Sequence, residues 1–212
     1  MKQSHLLGAL GACAITFCSM SAHAALIGVL PATLGGTDYQ AYYDDQLDIS
    51  WTANANINGI NNWDNQVAWA ASLDIDGVTG WHLPSMDVNG DGVIVNCSST
   101  LTSQAACKDN EYGHLFNYGA GIVFGSGITT SSPGPFSNIQ FDKYWSGTES
   151  GPASAWRLGF NGGQQLASLK GLNGFAWAVR TGNVSTVPVP AAVWLFGSGL
   201  IGLIGVARRK KA

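Results

Sequence analysis

The sequence predicts a single domain of the α+β class. A helical period occurs early, over 62–73, and a second short helix, capped by Asp109, is expected over 109–118. Strand-like alternation is concentrated after residue 150. Helices and strands that are segregated in this way, with long loops between them, indicate an antiparallel sheet with helices packed on it. About 160 residues remain once two terminal segments are set aside, which suffices for one hydrophobic core.

The first helix has one apolar face. That face consists of Trp63, Val67, Ala70 and Leu73 or Ala71, and we expect it to pack on the sheet. Asn61 or Asn62 is available as the N-cap. Trp69 lies on the opposite face from Trp63, so the two indoles cannot both be buried against the same sheet. One of them is therefore a candidate for exposure.

Short apolar alternations predict the strands. Trp156, Leu158 and Phe160 alternate with Arg157, and an Asn-Gly turn then leads into a returning strand, which is typical of a hairpin. The predicted strands are 48–51, 156–160, 165–169 and 175–179.

Both ends of the chain have the composition of targeting segments. Lys2, an apolar stretch over 6–20 and Ala24 form a signal peptide, residues 1–24. Near the other end, the uncharged run 191–207 is just long enough for a helix to span a bilayer, and the four cations of 208–212 hold that end in the cytoplasm.

The part between these ends is acidic. Between Ala25 and Val187 there are five basic and thirteen acidic side chains, a formal charge of 5 − 13 = −8. Such a surface repels phosphate backbones, so we expect no nucleic-acid partner, and it is compatible with Ca²⁺.

The C-terminal segment resembles the PEP-CTERM sorting signal of exported Gram-negative proteins, in which a proline motif, an apolar helix and a basic end are read by an exosortase. Val189 stands where that motif usually has Glu. The resemblance implies transient residence in the inner membrane through the C-terminal helix, then release to the outer surface or the extracellular matrix. The residues that carry it are Val187, Pro188, Pro190, Arg208 and Arg209. The alternative is a permanent anchor with the domain in the periplasm.

The cysteines indicate one disulfide. Cys13 and Cys18 lie in the signal peptide, which leaves Cys97 and Cys107 as an even pair in an oxidising compartment. The alternative, a reactive thiol, requires one of them to stay unpaired.

The stretch 87–92 matches the first half of a calcium-binding loop, in which alternate oxygens converge on the ion and a glycine allows the turn. Position twelve is Ser98 where a Glu belongs, and the disulfide is expected to bring an acidic side chain from 109–111 in its place. The candidate ligands are Asp87, Asn89, Asp91, Val93, Asp109 and Glu111. The alternative is an Asn/Asp/Gly turn without an ion.

Four short motifs resemble the Lcl C-terminal-like domain, an exported family without assigned chemistry. They are Trp81-His82-Leu83-Pro84, Tyr144-Trp145-Ser146-Gly147-Thr148, the stretch 155–160 and Ala178-Val179-Arg180. The resemblance implies a C-type-lectin-like fold over 44–182, related to formylglycine-generating enzymes. It leaves an N-terminal segment, 25–43, and a linker with the proline motif, 183–190. His82 replaces the usual Arg of the first motif.

Seven tryptophans lie between the terminal segments, and an exposed one could stack on a sugar ring. Their alternating or helical positions favour the core for most of them. They are Trp51, Trp63, Trp69, Trp81, Trp145, Trp156 and Trp177.

The sequence favours a non-enzymatic role. Recognisable hydrolase and metalloprotease motifs are absent. Glu111 and His114, three residues apart, lack further partners for a shared metal, so we expect His114 to be a packing or surface histidine. We expect a ligand-binding or structural protein linked to exopolysaccharide. The alternative is a secreted carbohydrate-active enzyme, which would need an Asp/Glu pair in a groove.

We predict that protein recovered from the envelope or culture medium lacks residues 1–24 and the basic tail. On reduction it should gain about 2 mass units, one hydrogen for each sulfur of the disulfide. Intact-mass spectrometry measures both changes. A full basic tail in the membrane fraction would instead establish permanent anchoring.

Overall fold

A computed structural model describes residues 26–97, 102–119 and 134–185. The strands are β1 Leu26–Pro31, β2 Tyr39–Asp44, β3 Ile49–Thr52, β4 Lys143–Gly151, β5 Ser154–Gly159, β6 Gln164–Leu169 and β7 Val179–Thr181. The helices are α1 Trp63–Ser72, α2 Gln104–Cys107 and α3 Glu111–His114, and α3 continues into a π-helical turn, Leu115–Gly119. The architecture is mixed α+β with short helices, which confirms the predicted class.

Two antiparallel sheets organise these elements. One has the order β1-β2-β3-β7 and the other is the meander β4-β5-β6. In the first sheet, Ser50 of β3 lies opposite Arg180 of β7, so the beginning and the end of the domain lie side by side. The segment 25–43 contributes β1 and most of β2 to this sheet.

Helix α1 agrees with its prediction. Asn62 is the N-cap, and its side chain accepts a hydrogen bond from the backbone N–H of Asn65. Trp63 is buried and its indole N–H donates to the carbonyl of Ser146 at 2.8 Å, whereas Trp69 on the other face is half-buried. Gln66 is also buried. Its burial is tolerated because its amide nitrogen donates hydrogen bonds to two backbone carbonyls.

The second predicted helix is shorter and differently capped. It begins at Glu111 and its cap is Asn110, whose side chain accepts from the N–H of Gly113. Asp109 does not cap it, because its carboxylate instead accepts a hydrogen bond from the backbone N–H of Asn89 at 2.8 Å. The π-helical turn that follows was not predicted, and neither was the four-residue helix α2.

The last predicted strand is also corrected. Regular pairing begins only at Val179, because Phe175 bridges to Tyr144 of the other sheet before the chain crosses over. The predicted strand at 48–51 is confirmed as β3, shifted by one residue, and the hairpin is confirmed as β5 and β6.

Aromatic side chains fill most of the core. Trp177 lies 5.4 Å from Trp51 and 4.7 Å from Phe136 between ring centroids, both in edge-to-face geometry. Five of the seven predicted core tryptophans are buried, and Trp69 and Trp156 are half-buried.

Both faces of β5 are covered, so the simple inward–outward alternation does not hold. Leu158 is buried on one face. On the other, the Arg157 guanidinium lies 4.5 Å from the ring centroid of Trp145 and donates to the Ser168 hydroxyl at 2.8 Å. A charged side chain is tolerated there because it has both an aromatic face and hydrogen-bond acceptors.

Among the residues that the structure describes, no helix has the length and apolarity needed to cross a bilayer. The predicted signal peptide and the predicted sorting helix both lie outside those residues.

We predict that Gly113→Ala destabilises the domain. A Cβ at this position would lie 2.4 Å from the Cβ of Cys97, so helix α3 or the disulfide must move. Overpacking of this kind costs about 1–3 kcal/mol, which urea unfolding should show as a lower midpoint.

The matched control is Gly162→Ala, because nothing lies within 4 Å of its added Cβ. It should change the free energy of unfolding by no more than about 0.5 kcal/mol. Equal effects of the two substitutions would contradict the close packing of α3 on the disulfide.

Candidate functional site

The disulfide between Cys97 and Cys107 brings two distant acidic stretches together. Its Cα atoms are 5.8 Å apart, and Cys107 is the last residue of α2. The chain after α2 then runs beside the predicted calcium loop, where the N–H of Val88 donates to the carbonyl of Asp109 at 3.0 Å. The predicted bridge and the folding back of the chain are both observed.

Three carboxylates converge at this point. Asp87, Asp91 and Asp109 each place an oxygen within 4.8 Å of the others. The loop is tightly turned, with positive φ at Gly90 and Gly92, which glycine adopts without strain.

Backbone N–H groups point at the carboxylates of this acidic cluster. The two oxygens of Asp87 accept from Asp91 and Gly92, at 3.1 and 2.9 Å. Asp91 in turn accepts from the N–H of Val93 at 2.7 Å, and its other oxygen lies 3.2 Å from the side-chain nitrogen of Asn89. These bonds fix the loop in the turned conformation that a cation site requires.

Glu111 lies outside the acidic cluster. The sequence left Asp109 and Glu111 as alternatives for the missing ligand, and Asp109 is the one that converges with Asp87 and Asp91. Glu111 is only 7% exposed, and its carboxylate accepts from the N–H of Ser85 at 2.6 Å. It therefore ties α3 to the segment that precedes the loop.

A second buried polar pair is formed by the last residue of α3 and an aspartate of β2. His114 is fully buried, and its Nδ1 lies 3.9 Å from an Asp44 oxygen that has no hydrogen-bond partner among the described residues. Burial, with a smaller contribution from the charge of Lys108, lowers the pKa of His114 to about 4. Burial raises the pKa of Asp44, and it raises that of Glu111 to about 7. The expected packing role of His114 fits this burial, but no sequence signal singled out Asp44.

A cleft of about 480 Å³ adjoins the acidic cluster and shares Asp87 with it. Its lining includes apolar side chains of α1 and the motif segment around Leu83, together with Ser85 and Thr148. The Thr148 hydroxyl accepts from the N–H of Met86 at 2.8 Å and lies 3.3 Å from the Ser85 hydroxyl, so it holds strand β4 against this segment. Thr148 belongs to one of the four sequence motifs, but the sequence gives no indication of this role.

Comparison of the chain with models of protein families and with curated proteins found no match.

We predict that the buried side chains of His114 and Glu111 give opposite pH dependences of the free energy of unfolding. Between pH 4 and 6.5 the unfolded state binds more protons at His114, so stability rises with pH. Between about pH 4.5 and 7 the folded state binds more protons at Glu111, so stability falls with rising pH. Glu111→Gln removes the second effect and should gain stability relative to the parent as the pH rises from 5 to 8.

Urea unfolding at pH 5 and pH 8 measures this difference. Gln retains an acceptor for the N–H of Ser85, so the variant should fold. His114→Gln is the counterpart, and relative to the parent it should be more favourable at pH 4.5 than at pH 7. If the parent and Glu111→Gln differ equally at both pH values, Glu111 does not titrate as described.

Proposed function

We propose that this chain is an exported, non-enzymatic protein of a Gram-negative envelope whose domain binds polysaccharide of the extracellular matrix, with Ca²⁺ in a structural role. The observation that carries the binding role is the meeting of an acidic cluster and a cleft at Asp87. Clefts with a mainly apolar lining and a few convergent polar groups are the usual form of a ligand site.

The donor set fits a hard cation. Asp87, Asp91 and Asp109 offer carboxylate oxygens, which Ca²⁺ prefers, and Asp109 supplies the charge that Ser98 cannot. The side-chain oxygen of Asn89 and the carbonyl of Val93 are the further ligands we expect, with water completing the six to eight positions that Ca²⁺ takes.

Contacts among the motif segments support the resemblance to Lcl C-terminal-like domains. His82 and Val179 exchange two backbone hydrogen bonds of 2.8 Å, and the N–H of Gly147 donates to the carbonyl of Pro84 at 2.9 Å. Three stretches that are far apart in sequence thus meet at one place, as expected if they form the framework of a shared lectin-like fold. His82 makes its side-chain contact with the carbonyl of Leu83, at 3.0 Å.

Export and sorting follow from the terminal segments. In the proposed route the domain crosses the inner membrane, is held there by 191–207, and is released by an exosortase-type protease near the proline motif. The released domain then reaches the outer surface or the matrix, where exopolysaccharide is available as a binding partner.

The placement of the carboxylates favours binding over hydrolysis. A glycosidase needs two carboxyl groups facing the same groove. The cleft has Asp87 in its lining, whereas Glu111 is buried behind Ser85 and bonded to its N–H.

We predict that Ca²⁺ stabilises the processed protein and increases its retention on exopolysaccharide isolated from the producing cells. At a free concentration tenfold above the dissociation constant, an ion that binds only the folded state adds about 1.4 kcal/mol. Thermal unfolding and cosedimentation, each in 10 mM Ca²⁺ (about tenfold above the weakest affinities of extracellular modules) or in chelator, measure the two effects. Release of reducing ends during incubation would favour the enzyme.

Asp109→Asn should behave in Ca²⁺ as the parent does in chelator, because Asn keeps the bond from the N–H of Asn89 but loses the charge. Asp64→Asn, in the exposed first turn of α1, is the matched control and should respond like the parent. If Ca²⁺ does not change the unfolding temperature of the parent, the proposed Ca²⁺ site is wrong. If the parent does not cosediment with the exopolysaccharide, the proposed polysaccharide binding is wrong.

A further inference from the structure

A second concavity lies away from the cleft, at the edge strand of the meander. This groove has a volume of about 410 Å³ and lies between strands β5 and β6 and the segment that follows the acidic cluster. Its lining residues are Ile94, Asn96, Trp156, Gln164, Gln165 and Leu166.

Trp156 differs from the other tryptophans that the structure describes. It is half-buried and belongs to neither of the two apolar clusters, whereas the others are members of one cluster or pack against it. The indole N–H groups of Trp63, Trp81 and Trp177 donate to backbone carbonyls. Within the described residues the indole N–H of Trp156 has no such partner. The same holds for Trp51 and Trp145, but those rings are buried in the core, whereas Trp156 lines the groove. As far as the described residues go, both its ring and its donor are therefore available in the groove.

One wall of the groove is held rigidly. The side-chain oxygen of Gln165 accepts from the N–H of Cys97 at 2.7 Å, and its nitrogen donates to the carbonyl of Val95 at 3.0 Å. Asn110 donates to the same carbonyl at 3.0 Å, and the disulfide anchors Cys97 to α2. A wall that is already ordered loses little conformational entropy when a ligand binds.

The chemistry of the lining selects an uncharged polar ligand with an apolar face. None of the described lining residues is an acid or a base, so a polyanion would find no counter-charge among them, and the domain charge of −8 would repel it. Gln164 is exposed, and no described residue bonds to its amide, which offers both a donor and an acceptor. An aromatic ring beside the amide of Gln164 suits a pyranose, which has an apolar face and a rim of hydroxyls.

We propose that this groove is a glycan-binding site for neutral polysaccharide, in which a pyranose ring stacks on the indole of Trp156 and exchanges hydrogen bonds with its N–H and with the amide of Gln164. This proposal rests on the proposed function, and it specifies neutral polysaccharide as the class of matrix polymer that the domain binds. The cleft beside Asp87 is a separate place, so the two can be tested separately.

The test is native affinity electrophoresis of the full-length protein in mild detergent. The gels contain dextran or galactomannan as neutral probes, alginate as an anionic probe, or exopolysaccharide from the producing cells. We expect retardation by at least one neutral probe and by the exopolysaccharide. Trp156→Ala should weaken both by about tenfold or more, and Trp156→Phe, which keeps an aromatic face, should retain most of the binding.

The matched control is Trp69→Ala, which removes another half-buried indole, from α1, and should leave retardation unchanged. Gln164→Ala, at an exposed position that does not support the core, should weaken binding severalfold. Urea unfolding of each variant verifies that it is folded.

Retardation that Trp156→Ala and Gln164→Ala leave unchanged, or retardation by alginate or exopolysaccharide without any neutral probe, would overturn the glycan site. In both cases the proposed polysaccharide-binding function would stand. Absence of retardation in every gel would overturn both.

Discussion

The extended segment 174–181 hydrogen-bonds to both sheets, and the rest of the structure depends on these bonds. Phe175 pairs with strand β4 through bonds to Lys143 and Trp145 at 3.0 and 2.9 Å. Four residues later the chain has crossed over, and Val179 pairs with β3 and with the segment at His82. Because a buried backbone group must find a partner, a shift of this segment by one residue would leave donors unpaired in both sheets.

This arrangement fixes the walls of both concavities. The segment 82–97 leaves the crossing at His82, lines the cleft as far as Asp87, turns through the acidic cluster and lines the groove at Ile94. It has little regular structure of its own, and it is held instead by Glu111, by the disulfide and by Gln165. A cation in the acidic cluster would therefore stiffen a loop that lies between two ligand-accessible surfaces.

Local signals in the sequence predicted the local elements. The cap at Asn62, the Asn-Gly turn of the hairpin and the cysteine pair each act within about a dozen residues, and the structure contains all three. Features that depend on distant partners were not predictable. The strand alternation alone predicts an exposed Arg157, because nothing in the sequence shows that its guanidinium packs on Trp145. Likewise, the sequence does not show that the carboxylate of Glu111 accepts a hydrogen bond from Ser85.

Electrostatic interactions within the acidic cluster hold its loop in the turned conformation. Three carboxylates within 4.8 Å repel one another, but four backbone N–H groups donate to their oxygens and stabilise the charge. These donors belong to Asn89, Asp91, Gly92 and Val93. These bonds hold the loop in its turned form, so a cation bound as we propose would add stability mainly by relieving the repulsion between the carboxylates. Because the cluster is largely exposed and lacks the bidentate Glu of a strong site, we expect the proposed Ca²⁺ affinity to be weak, about 10⁻⁴ to 10⁻³ M. Such an affinity would fit the extracellular location that we propose, where Ca²⁺ need not act as a signal.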